Sequence, residues 1–139
     1  MYRWVDHTAE VELEIEAGGE REVLEEALRA LAELLGIERS DDVACAIEGS
    51  GDVARAVTVE AADRPALLAG WIEELAFLAE TEGFVATRLL DVDLQSHGLH
   101  ATVAGVLGEP PPLVKAVTYH RLAFEPSGER YVARVILDV

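Results

Sequence analysis

The chain has 139 residues, 27 of them acidic and 11 basic, for a formal net charge of −16, and 50% of its residues are hydrophobic. That length suits one domain spanning residues 1–139 with a real apolar core. The charge, with ten arginines and one lysine scattered rather than clustered, excludes the basic stripe of a direct nucleic-acid binder and repels anionic lipid.

Cys45 is the only cysteine, so an internal disulfide is impossible; within "VACAI" it reads as a small buried hydrophobe, consistent with a reducing compartment. The chain does not open with a basic segment followed by an apolar run, and no apolar stretch nears the roughly 20 residues that span a bilayer. The expectation is a cytoplasmic protein without a membrane.

In "EVELEIEA", Val11, Leu13 and Ile15 alternate with Glu10, Glu12, Glu14 and Glu16, the period of two of a strand with one buried and one wet face. Gly18 and Gly19 break it. "EREVLEEALRALAELLG" then spaces Val23, Ala27, Leu28, Leu31, Leu34 and Leu35 as a helix, with acids in its first turn and Gly36 near its stop. After the "ERSDD" loop, "VACAIEGSGDVARAVTVEA" reads as a hairpin about Gly-Ser-Gly-Asp, which lacks the Gly-Lys-Ser/Thr ending of a phosphate loop and opens no helix. Asp63 is placed as the N-cap of a second helix, with Pro65 in its first turn, Leu67, Leu68, Trp71, Ile72, Leu75 and Leu78 on its apolar face, and Gly83 at its end.

"FVATRLLDVDLQ" and "LHATVAGVLG" flank "SHG" as a second hairpin, and "EPPP" is a stiff extended connector. "VKAVTYHRLAF" and "YVARVILDV", joined by "EPSGER", make a third. The order predicts an α+β fold: two helices packed on a mostly antiparallel β-sheet in one compact domain.

Strict alternation assigns Glu12, Glu14 and Glu16 to the wet face of the first predicted strand. Glu10 differs, because it starts that strand beside Asp6, His7 and Thr8. At the far terminus, Asp138 interrupts an aliphatic strand one residue before the end, where packing needs no acid. If the last strand lies beside the first, Glu10, Asp138 and the main-chain oxygen of Val139 converge. Such oxygen donors suit Ca²⁺ or another hard divalent cation better than zinc; the alternative is a set of solvated terminal acids. His7 and His120 lack the spacing of a zinc site, and Ser96 beside His97 is a loop dipeptide rather than part of a nucleophilic triad.

Together, "DHTAEVELEIEA", "DRPALLAGWIEELAFLAETEGF", "VKAVTYHRLAF" and the closing "ILDV", in this order and spacing, resemble the archease family over essentially the whole chain. Archeases are small acidic proteins that act as cofactors of the RtcB-type 3′-phosphate RNA ligase in tRNA splicing and RNA repair. The resemblance implies an activator that promotes the ligase's metal-dependent guanylylation by GTP and its multiple turnover, the RNA being held by the ligase rather than bound directly. It also implies a calcium site at Glu10, Asp138 and Val139. Glu10 stands where the family's His-Thr-Ala-Asp motif has Asp, so its arm is one methylene longer. Lys115, Thr118 and His120 fall on the family's Lys-Ala-Val-Thr-Tyr-His segment, and Asp63 on the start of its second helix.

Two other functions compete. One is a general chaperone or protein-modification module that holds clients on an exposed sheet edge. The other is a metal-dependent hydrolase, for which only Asp6, His7, Glu10 and Asp138 would supply the site.

Overall fold

A computed structural model describes residues 1–6, 10–35, 53–108 and 116–138, with the backbone alone at residue 6. The acid–aliphatic alternation folds as strand β2, Glu10–Ala17, which buries Leu13, Ile15 and Ala17. One strand is additional to the expected set. β1, Tyr2–Asp6, pairs antiparallel with β2 from Tyr2↔Ile15 to Asp6↔Val11. Five residues are too few to show a period by themselves, but pairing with β2 sets Tyr2 and Trp4 against the core.

On the other side of β2 lies the last strand, here β7 (Arg130–Asp138), in register from Glu10↔Asp138 to Ala17↔Tyr131. β6 (Ala116–Ser127) pairs with β7 and closes a four-stranded sheet of order β1-β2-β7-β6. The β6–β7 turn has two residues between Ser127 and Arg130; the first, Gly128, takes φ 64°, as a tight hairpin requires. A second sheet, of order β3-β5-β4, contains β3 (Val53–Glu60), β4 (Phe84–Gln95) and β5 (Gly98–Leu107). All described pairings are antiparallel, and the α+β reading holds, with the strands shared between two sheets.

Helices α1 (Glu20–Leu34) and α2 (Arg64–Glu82) each pack against strands of both sheets, α1 on β2 and β4, α2 on β6, β4 and β3. Local chemistry sets the ends of α2. Asp63 caps it, its Oδ1 accepting the Ala66 N–H at 2.9 Å; Pro65 occupies the first turn, and Gly83 ends the helix in the left-handed region at φ 67°. Trp71 is fully buried and its Nε1–H donates to the Leu24 carbonyl of α1 at 3.0 Å, which satisfies its one polar group and ties the helices together. A continuous apolar cluster joins both helices to both sheets.

The loop "ERSDD", the first half of the expected Gly-Ser-Gly-Asp hairpin with Cys45, Gly36 and the "EPPP" connector lie outside the described residues. Among the described residues, no helix is long and apolar enough to cross a membrane.

Candidate functional site

Glu10 opens β2 and Asp138 closes β7, and the two are register partners; Asp138 has Ala116, the first residue of β6, on its other side. Directly opposed residues in an antiparallel pair share a face, with Cβ atoms about 4.5–5.5 Å apart. The two half-buried carboxylates therefore stand side by side on the face of the sheet away from the helices, at the end of two paired strands. Strand order brings the two acids of the expected convergence together, while its third member, Val139, lies outside the described residues.

Moving down that face, the other glutamates of β2 have cationic neighbours. Glu16 pairs with Arg130 at 2.9 Å, both exposed. Glu14 accepts a hydrogen bond from Arg3 Nε at 2.7 Å. That bond holds the Glu14 carboxyl below the usual carboxylate range, against an opposing effect of burial. Glu12 lies 3.4 Å from Arg121 Nη1 and 3.6 Å from Arg134 Nε. Glu10 instead faces an acid, and opposed like charges destabilise a sheet.

Glu12 corrects the expectation of a wet face: it is only 3% exposed. Alternation does put it on the outer face, but Arg121 and Arg134 cover that face around it, and its cross-strand partner Ile136 is buried as well. Two guanidiniums give a buried carboxylate counter-charge in place of bulk water. Sequence reasoning missed this role of Glu12, Arg121 and Arg134; the available signal was Arg134, a cation in the otherwise aliphatic "VARVIL".

The remaining expected residues are dispersed or undescribed. Thr118 is half-buried on β6, opposite Ile136, and its Oγ1 is buried without a hydrogen-bond partner. His120 is exposed two residues further along. Asp63 is engaged as the helix cap, near the β4–β5 turn, where Arg64 donates to the Gln95 carbonyl at 2.6 Å and to Glu20 at 2.7 Å. Asp6 ends β1 one strand away from Glu10, and His7, Lys115 and Val139 lie outside the described residues.

The donor chemistry fits a hard cation. Two adjacent carboxylates offer the oxygen ligands that Ca²⁺ or Mg²⁺ prefers. The described donors amount to this pair, since no group of three or more His, Cys, Asp or Glu poised to hold a metal occurs among the described residues. A concavity of about 470 Å³ opens lower on the same face, lined by Arg3, Glu14, Glu16, Glu125, Val132 and Arg134. Arg3, Glu14, Glu16 and Arg134 in its walls are among the paired charges just described, and it is not the carboxylate site.

The model of the archease protein family (MTH1598/TM1083) matches residues 2–139. The chain belongs to the archease family. Its relatives include protein archease of Methanosarcina barkeri, 27% identical over 148 residues that cover 100% of this chain and 96% of that protein. Protein archease of Archaeoglobus fulgidus is 29% identical over 154 residues, covering 99% and 98%. Among solved structures, protein 1598 of Methanobacterium thermoautotrophicum is similar with a TM-score of 0.70 and 28% identity, over 99% of this chain and 98% of that one. An archease of Thermotoga maritima, described as a possible chaperone, shares the fold with a TM-score of 0.58 at 19% identity, over 100% and 98% of the two chains. The α+β arrangement of two helices against antiparallel sheets is thus the archease fold.

Proposed function

We propose that this archease activates an RtcB-type 3′-phosphate RNA ligase in tRNA splicing and RNA repair, acting in the cytoplasm as a protein cofactor rather than as an enzyme. It promotes metal-dependent guanylylation of the ligase by GTP and so lets the ligase turn over repeatedly. The covalent chemistry and the RNA stay on the ligase, which suits a partner protein of net charge −16.

The observation that carries this reading is the Glu10–Asp138 pair within a chain that matches the family from end to end. Three glutamates of β2 lie beside arginines, and the fourth lies beside another acid. Opposed acids cost a sheet stability unless a cation lies between them, and this supports a cation site. Glu10, Asp138 and the Val139 main chain are the residues that would hold Ca²⁺ or another hard divalent ion. Bound there, the ion would neutralise the pair and would supply a Lewis-acidic centre.

Client holding by strand addition is the weaker reading, because two of the four edges of the described sheets are broken. β6 loses register between Thr118 and Ala123, and β4 loses it between Ala86 and Arg88 and again between Leu89 and Asp91. Bulged edges are poor templates for another strand.

The test compares single-turnover and multiple-turnover guanylylation of a purified RtcB-type ligase with and without this protein. Stimulation confined to, or greatest in, multiple turnover is expected. No effect on either supports a different function, and RNA ligation or GTP hydrolysis by this protein alone, abolished by Glu10→Ala, promotes the hydrolase.

A further inference from the structure

Between its pairings Thr118↔Ile136 and Ala123↔Arg134, β6 spends four residues, 119–122, opposite the single residue Val135. An ordinary bulge has one extra residue. Within this large one, Arg121 adopts φ 57°, a left-handed backbone that side chains other than Gly, Asn and Asp seldom take. Such a conformation persists only where the surroundings over-determine it. Here Arg121 Nη1 reaches Glu12 Oε1 at 3.4 Å, and Glu12 is itself buried beside Arg134. The ion pair crosses from β6 to β2, over the intervening β7, and pins the bulge to the sheet.

The pinned bulge presents Tyr119, 60% exposed, with exposed His120 beside it. A large aromatic side chain set out in water on a fixed backbone contributes nothing to this core and has the character of an interface anchor. Its place matters too: the bulge begins just beyond Thr118, two residues along β6 from Ala116, the neighbour of Asp138. Tyr119 is thus exposed three residues along β6 from the register partner of Asp138.

We propose that the 119–122 bulge is a preset protein-contact element beside the carboxylate pair, with Tyr119 the anchor that enters the partner and Arg121, acting through Glu12, the residue that positions it. This rests on the ligase-activator reading, and the occupant is the ligase protein. Nucleic acid is disfavoured because the paired acids Glu10 and Asp138, in a chain of net charge −16, oppose a phosphate backbone.

The experiment titrates the parent protein, Tyr119→Ser, Arg121→Gly and Arg121→Lys against a fixed concentration of ligase. It reads the concentration for half-maximal stimulation of guanylylation separately from the maximal stimulation, with thermal midpoints recorded alongside. Glycine takes φ 57° freely, so Arg121→Gly removes the ion pair without forcing the backbone to change. Tyr119→Ser is expected to raise the half-maximal concentration tenfold or more and leave the maximum within twofold of the parent. Arg121→Gly should raise it by a similar factor, and Arg121→Lys by less. A half-maximal concentration for Tyr119→Ser equal to that of a stimulating parent overturns the contact, as does RNA binding by this protein alone that Tyr119→Ser abolishes. Arg121→Gly matching the parent, or losing only maximal stimulation in step with a fallen thermal midpoint, overturns the positioning role. A parent that never stimulates the ligase overturns the activator reading and this inference with it.

Discussion

The two faces of β2 come from one alternating segment yet are built on different principles. On the inner face, Leu13, Ile15 and Ala17 are buried against the helices by the ordinary gain from removing apolar surface from water. On the outer face the same strand carries Glu10, Glu12, Glu14 and Glu16, and the environment changes along its length. Glu16 is exposed with Arg130, Glu14 is partly covered by Arg3, Glu12 is buried under Arg121 and Arg134, and Glu10 meets Asp138. Burial and apolarity therefore separate on this face. The row in which an acid opposes an acid rather than lying beside a described arginine is the candidate site.

The largest effect should come from the inner face. Leu13→Ala is expected to cost about 2–5 kcal/mol in chemical denaturation, by lost transfer energy and a residual cavity. Stimulation of the ligase should then fall only as the folded fraction falls.

Glu12→Ala comes next, at about 1–3 kcal/mol, because it leaves Arg134 Nε buried without its counter-ion. The cost stays below the roughly 3–5 kcal/mol of a fully buried pair because both arginine side chains reach solvent. The same change at Glu16 should stay within about 0.5 kcal/mol, and equal costs at positions 12 and 16 would break the distinction between the rows.

Glu14 sharpens the comparison through pH. Its carboxyl titrates below the ordinary glutamate value because Arg3 bonds to the charged form. The folded state thus prefers that form, and the resulting stability is present above an ordinary glutamate pKa near 4.3 and lost as pH falls through the lower folded value. Arg3→Gln should flatten that part of the stability–pH curve by lowering stability modestly at neutral pH and leaving it unchanged in strong acid. A variant curve that parallels the parent's in acid would assign the shift to something other than Arg3.

Much of this architecture was legible because its signals are local. Asp63, Pro65 and Gly83 mark the ends of α2 by their own conformational preferences, and the acid–aliphatic alternation of β2 sets its faces. Glu10 and Asp138 were readable as a pair because each acid ends a strand that packing alone does not ask to be acidic. The burial of Glu12 was not readable. One of its guanidiniums arrives 109 residues later, on an arginine whose left-handed backbone has no sequence mark of the kind a glycine or asparagine gives. β1 was missed because a five-residue strand gains its stability from the partner beside it.

The smallest effect on stability belongs to the site itself. Asp138→Ala should change unfolding free energy by no more than about 0.5 kcal/mol, or raise it slightly by relieving the repulsion with Glu10. Glu10→Asp, which shortens the arm by one methylene, should preserve activity or tighten metal binding, as read by Ca²⁺ titration.

The central claim is that the paired acids, and not the stability of the fold, carry the function. Its most direct test is multiple-turnover guanylylation of the ligase with Asp138→Ala over a series of Ca²⁺ concentrations, beside a thermal melt of the same preparation. A parent-like melt with most of the stimulation gone is the expected result. Stimulation equal to the parent's at every Ca²⁺ concentration would contradict the account and move the search to Asp63, Lys115 and His120.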